Sequence, residues 1–332
     1  MTAAPRPAAL ALALLAAFAA PAAGELVRAT ADVSGEDALV EIVASAELPR
    51  ERAAEAARQA LQELAQARSD ARALAASAAA RPLHPLRPDP AAFDLLVRAD
   101  SFCRWSEGAV GALGGRLFEL WGLNGGAPGR PDPERLAAAA ASARCDALAL
   151  DGAGRTFEVA PASALDLAPF ELGWAVDRAA AVLEAAGAKS FRVRLGPVAR
   201  GAGAGPEGKG WRVEFPRLPG GAEPLEGFWL RDASAAILAA DDRPIRVGGD
   251  SLPRWLDLRR GLPTAGVEAV AAVTALAVDA QGVAWAMSAL GPRYGEMSTG
   301  QLRPEPSVLW AMGSGEGPPL VIVARWSNVP KR

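Results

Sequence analysis

The chain is 332 residues long, with 35 lysines and arginines against 38 aspartates and glutamates and a formal net charge of −3. Without a basic excess there is no stripe to neutralise a phosphate backbone, which argues against a nucleic-acid partner. The hydrophobic content of 51% is inflated by alanine and does not mark a membrane protein. Cys103 and Cys145 are too few for a disulfide scaffold, and one bond between them or two buried free thiols are both open readings.

Arg6 is the only early positive charge, Ala8 to Ala20 is apolar, and Ala20-Pro21-Ala22-Ala23 offers small residues at a cleavage site. That order is the order of a secretory signal. The apolar stretch is short for a bilayer span, and no cysteine near the cut suggests a lipid anchor. The expectation is a signal peptide over 1–23 and export to the periplasm or extracellular space. The mature chain, 24–330, is expected to be a single α+β domain without an integral membrane segment.

Residues 38 to 46 read as a strand. Pro49 then opens an alanine-rich helix to about Ala67, with Ala54, Ala57, Leu61 and Leu64 on one face. Arg81 to Pro88 is a proline-rich connector. Asp89-Pro90 starts a helix whose buried side is Phe93, Leu96 and Phe102. A glycine-rich stretch, Gly108 to Gly115, leads into Leu117–Leu123, and Asp132-Pro133 starts a short helix. Segments 146–150 and 155–160 read as a hairpin around Asp151-Gly152-Ala153-Gly154. A helix from Phe170 to Ala186 follows, with Val176, Ala180 and Leu183 as its core stripe and Gly187 past its end. Strands return at 191–195, 211–215 and about 270–278. Asp279 is expected to cap a last helix over 280–290, closed by Gly291. Segments 308–312 and 320–326 form a final hairpin. Antiparallel hairpins with packed helices indicate α+β rather than a doubly wound sheet.

A conventional catalytic survey is nearly empty. The single histidine, His84, sits between prolines in the connector and reads as a solvated loop residue. No nucleophile–histidine pairing, zinc cluster or Walker-type loop can be assembled. The glycine run at 201–210 has no helix after it and reads as a hairpin connection rather than a phosphate cradle.

Six segments in order carry a resemblance: 106–123, 166–188, 192–201, 209–215, 254–263 and 273–291. Together they resemble the FAD:protein FMN transferase (ApbE-type flavin transferase) family over about 30–325. The resemblance implies an exported, magnesium-using enzyme with FAD as donor. Such enzymes attach FMN to a Ser or Thr of a flavoprotein acceptor and release AMP. The family's flavin-framing Gly-Ala-Phe-Asp corresponds to Gly108-Ala109-Val110-Gly111. Its Asp before the central helix is Asp166, and Pro169 takes the place whose carbonyl usually faces the metal. A charged residue of the family is replaced by Leu172, while Gly173 and Ala175-Val176-Asp177-Arg178 follow the pattern. The nucleotide-side turn is Gly196-Pro197, and His-Ile-Ile-Asp-Pro becomes Arg254-Trp255-Leu256-Asp257-Leu258. Gly108, Ala109, Asp166, Gly196, Trp255, Leu256 and Asp257 are therefore the candidate FAD-binding residues, with Trp255 as the flavin-stacking candidate. From the residues alone, Asp166 reads equally as a helix cap, Asp177-Arg178 as an exposed or structural pair, and Asp257 as part of a surface ion cluster with Arg254, Arg259 and Arg260. That basic group is also a candidate for holding a phosphate.

The family's magnesium motif, Asp-Ala-x-x-Thr, sets two oxygen ligands one helical turn apart. Matching it to Val283 and Met287 leaves no oxygen for a hard cation, so no metal ligand is expected. Asp279, Gln281 and Ser288 are the oxygen-bearing residues nearby. Two functions follow: an FMN transferase, or a non-catalytic flavin- or protein-binding assembly module of the same fold.

Overall fold

The computed structural model describes residues 24–81, 83–218, 225–313 and 318–326; the expected signal segment lies outside the described residues. In chain order the main elements are β1 (Leu26–Val33), β2 (Glu36–Val43), α1 (Arg50–Ala80), α2 (Pro90–Trp105), α3 (Gly115–Leu120), α4 (Pro133–Ser142) and α5 (Glu171–Ala185). Then come β3 (Phe191–Leu195), β4 (Val198–Ala202), β5 (Ala233–Ala239), β6 (Val267–Thr274), α6 (Ala277–Thr299), β7 (Ser307–Met312) and β8 (Leu320–Ala324). These eight strands form one sheet in simple chain order, each antiparallel to the next. The fold class is α+β, as the hairpin pattern implies.

Strand alternation decides which face each side chain serves. Ala236 and Leu238 of β5 and Val270 and Ala272 of β6 pack toward α1, α5 and α6. Ala235, Ile237 and Ala271 face the other way, onto Phe215, Phe228 and Leu230 around the short hairpin Trp211–Val213/Phe228–Leu230. Small residues let the helices sit close. A Cβ at Gly173 would stand 2.3 Å from the Ala277 carbonyl oxygen, so the crossing of α5 and α6 requires glycine.

Several boundaries differ from expectation for identifiable reasons. Helix α1 runs on to Ala80 because Arg68, a charge on the core face, is buried there with partners for both terminal nitrogens of its guanidinium. It donates to the Val33 carbonyl and pairs with Glu171 at 2.8 Å. The buried stripe of α1 is Ala53, Ala57, Ala60, Leu64 and Ala67, with Ala54 and Leu61 only half-buried at its edge. The strand near 270–278 ends at Thr274, and the one at 211–215 is Trp211–Val213. Asp279 does not cap α6, whose N-cap position is Leu276; it pairs with Arg98 of α2 at 2.5 Å. The cap comes from α5: the Asp177 carboxylate accepts the Ala277 and Val278 N–H groups, each at 2.9 Å. Nor does Asp177 pair with Arg178, which reaches Glu63 and Asp70 of α1. Helix α6 continues beyond Gly291, which kinks it at φ 65° before Pro292. Cys103 and Cys145 form a disulfide, closing the free-thiol alternative. Among the described residues no helix is long and apolar enough to cross a membrane.

Candidate functional site

Where the start of α5, the middle of α6 and the turn before Leu256 converge, they enclose a cavity of about 140 Å³. Its apolar walls are Phe118, Leu123, Leu172, Trp255 and Trp285, and its polar lining includes Gln281. Phe118 and Trp285 meet edge-to-face with ring centroids 5.8 Å apart. Around the mouth stand Glu36, Arg68, Glu171, Asp242, Arg243 and Arg254.

Helix α6 presents Gln281 and Trp285, one turn apart, to this cavity, and not Val283 and Met287. A slip of two residues rotates a helix by about 200°, which carries a side chain to the opposite face. Val283 is fully buried and borders a different hollow beside Arg98 and Asp279. Met287 is also fully buried, against the sheet, where its carbonyl accepts the Trp310 indole N–H at 2.9 Å. The pairing of the ligand motif with Val283 and Met287 is thus corrected: the cavity-facing pair is Gln281 and Trp285. Gln281 is 2% exposed and both ends of its amide are used. The oxygen accepts the Gly173 N–H and the nitrogen donates to the Ala168 carbonyl, each at 2.8 Å. That carbonyl precedes Pro169 by one residue.

The other candidates divide between two places. Trp255 lines the cavity and is 4% exposed, with an indole N–H that has no acceptor. Asp166 stands just behind it: its carboxylate accepts the Ala168 N–H at 2.9 Å and the Asn124 side-chain amide at 3.1 Å. Asp166 does not cap α5, whose N-cap position is Phe170. Burial pushes its carboxyl above the usual carboxylate range, against the pull of those two donors. Gly196, at φ 53°, admits the Glu36 carboxylate where a Cβ would stand, 2.4 Å from its oxygen. Gly108 opens instead onto a separate surface hollow with Arg104, Arg259 and Arg260, and Ala109 is buried and accepts the Leu258 N–H. Leu256 is buried among Leu117, Phe118 and Trp121. Asp257 is 7% exposed rather than part of a surface cluster, and the Arg259 guanidinium grips both its oxygens. Arg254 points away from that pair, to the cavity.

Sequence reasoning missed Trp285, Glu36 and Arg243, and named Gln281 only as an oxygen-bearing neighbour of the motif positions. One signal was available: Gln281 is a lone amide in an apolar helical stretch, and a buried polar group must find partners. Glu36 and Arg243 are about 200 residues apart in the chain, and only the fold joins them.

Magnesium does not fit this donor set. Gln281 has spent its amide oxygen, Trp285 offers none, Glu171 is held by Arg68, and Glu36 and Asp242 are held by Arg243. Among the described residues no group of three or more His, Cys, Asp or Glu side chains could hold a metal ion. A flavin nucleotide fits better. The cavity alone is below the roughly 300–1,000 Å³ of ordinary ligand sites. It adjoins a hollow of about 620 Å³ on the other face of the sheet, the two sharing Glu36, Pro197, Ala239, Asp242 and Arg243.

The α+β fold of one antiparallel sheet with packed helices is that of solved flavin transferase structures. Three solved structures carry that likeness. The ApbE protein of Thermotoga maritima MSB8 superposes with a TM-score of 0.83 at 17% identity, covering 93% of this chain and 100% of that one. The flavinyl transferase ApbE of Pseudomonas stutzeri, in its apo form, gives 0.76 at 21%, over 91% and 95%. The flavin transferase ApbE of Vibrio cholerae gives 0.73 at 20%, over 91% and 97%. Comparison with curated proteins finds no match. The family profile described as the ApbE family matches residues 34–307, and the chain belongs to that family.

Proposed function

We propose that this chain is a catalytically silent, flavin-nucleotide-binding member of the family, working as a binding or assembly module. One observation carries the reading: on the α6 face turned to the cavity, the Gln281 amide bridges the Ala168 carbonyl and the Gly173 N–H. The amide oxygen of Gln281 is thus spent on a backbone N–H and its nitrogen can only donate, so this position offers a hard cation no ligand. Without a divalent ion, the charge developing on a pyrophosphate during transfer lacks its counterweight. The test is direct. Incubated with FAD, magnesium and a Ser/Thr acceptor peptide, the protein releases no AMP and yields no flavinylated peptide. FAD nevertheless quenches its tryptophan fluorescence, equally in magnesium and in EDTA. AMP formation above a no-protein control overturns the proposal.

The second reading is FMN transfer itself, with FAD as donor, a flavoprotein subunit as acceptor and AMP as product. Its support is the family match over residues 34–307. The same assay decides between them. We also propose that the protein is exported, to the periplasm or beyond. The Cys103–Cys145 disulfide supports an oxidising compartment, and the signal-like order of residues 1–23 agrees. Recovery of the protein with reduced cysteines from the cytoplasm would remove this part.

A further inference from the structure

The cavity mouth carries an arginine that the protein itself does not use. Arg254 is half-buried and, among the described residues, has no hydrogen-bond or ion-pair partner. Burial, followed by the like charge of Arg243, pulls its guanidinium below the usual arginine range. Glu36 and Asp242 oppose that pull through space without touching the guanidinium, and a ligand anion seated on it offsets the remaining cost of burial. The next residue, Trp255, adds a buried indole N–H without an acceptor.

Arg243 stands at the neck between the cavity and the larger hollow, since both are lined by it. There it is held by Glu36 at 2.6 Å, and the missing Cβ of Gly196 leaves room for that carboxylate. Both chambers have apolar walls: Phe118, Leu172, Trp255 and Trp285 on one side, and Val213, Phe215 and Ile237 on the other, where Arg194, Asp37 and Glu214 add charge. A ligand crossing this neck is elongated, with a flat apolar group at one end and anionic charge in the middle.

We infer that the neck is a metal-independent diphosphate subsite, in which Arg254 takes one phosphate and Arg243 exchanges Glu36 for the other. Glu36 is then the internal placeholder for the ligand's negative charge. The inference deepens the binding-module reading and rests on it for the absence of metal.

Titration calorimetry in EDTA with inorganic pyrophosphate, ADP, FAD and riboflavin tests it. Pyrophosphate, ADP and FAD bind, and riboflavin binds at least tenfold more weakly than FAD. A free nucleoside diphosphate as the natural source is told from FAD by whether ADP binds as tightly as FAD. Arg254→Gln weakens FAD at least tenfold and leaves riboflavin unchanged. Arg254→Lys, which keeps the charge and stem, recovers part of the loss and covers a glutamine variant that folds poorly. Glu36→Gln removes the shorter of the two ion pairs of Arg243, leaving the one with Asp242, and tightens FAD severalfold. The inference is overturned if wild-type protein fails to bind millimolar pyrophosphate, or if Arg254→Gln binds FAD as wild type does. The two readings fail separately. AMP release with an intact Arg254 effect sinks the silent-module proposal, whereas metal-free FAD binding indifferent to Arg254 sinks only the diphosphate subsite.

Discussion

Helix α6 has two faces with different tasks. Toward the sheet, Val283 and Met287 are fully buried, and Met287 lies under Trp310, with its carbonyl tied to that indole. Toward the cavity, Gln281 is as deeply buried, but Trp285 is half-exposed and the space beside it is unfilled. One face follows packing rules that any chain of this fold must obey. The other carries an amide and an indole beside open space, where the amide is held by the Ala168 carbonyl and the Gly173 N–H. The two faces therefore answer to different constraints, close packing on one and the pairing of a buried polar group on the other.

The largest effect expected is on the packed face. Met287→Ala should cost about 2–5 kcal/mol in urea unfolding, because the close-packed surroundings relax little around the void. Trp285→Ala should cost less than Met287→Ala despite removing more atoms, since part of its surface already borders open space. The reverse order would break the distinction between the faces.

The start of α6 gives the next effect. Asp177 caps it from α5, and burial pushes its carboxyl up to about 6, opposed by the Ala277 and Val278 N–H groups and by Arg200. With the folded pKa above the unfolded one, the folded state holds the proton more tightly. The group's contribution is therefore fully present at low pH and is lost as pH rises from about 4 through 6. The full swing is about 3 kcal/mol at most. Asp177→Asn should remove that pH-dependent part, seen as a difference between wild-type and variant urea midpoints at pH 4 and pH 7. Parallel curves would show that Asp177 titrates as it does when unfolded.

On the cavity face, Gln281→Leu leaves the Gly173 N–H and the Ala168 carbonyl without their partner. Each is a buried backbone group, and the expected loss is about 2 kcal/mol with FAD binding retained. A leucine variant as stable as wild type would mean that the amide bridge contributes nothing.

Much of the scaffold is legible in the sequence because it is local. Asp89-Pro90 and Asp132-Pro133 start helices as their residues dictate, each aspartate accepting an N–H two or three residues on. The loop Asp151–Gly154 turns its hairpin for the same reason. What was not legible is relational. The end of α1 was hidden by Arg68, a charge that reads as a surface residue until Val33 and Glu171 are brought to it. The cap of α6 was hidden because it is supplied a hundred residues earlier, by Asp177. The motif on α6 failed on phase: an apolar helix looks alike on every side, so a match displaced by two residues costs nothing in composition and inverts the face. The neck formed by Glu36 and Arg243 has no sequence signature at all.

The smallest expected effect is the sharpest test of the comparison. Magnesium at about 5–10 mM should leave the wild-type melting temperature unchanged, since the carboxylates at the cavity mouth are paired with arginines and Gln281 has spent its amide oxygen. The double variant Gln281→Asp/Trp285→Thr restores a carboxylate and a hydroxyl one turn apart on that face. It also releases the Ala168 carbonyl from its amide donor and replaces an indole by a smaller side chain. If only these side chains separate this cavity from a metal site, the double variant gains stability with magnesium, about 1.4 kcal/mol at ten times Kd. The same pair of changes made at Val283 and Met287 should bind nothing and should destabilise the protein, because both positions are fully buried and the changes put polar groups in place of packed apolar ones. Magnesium stabilising the wild type would mean that the cavity still assembles a cation site from groups other than Gln281 and Trp285. In that case the two faces of α6 do not divide structure from chemistry in the way argued.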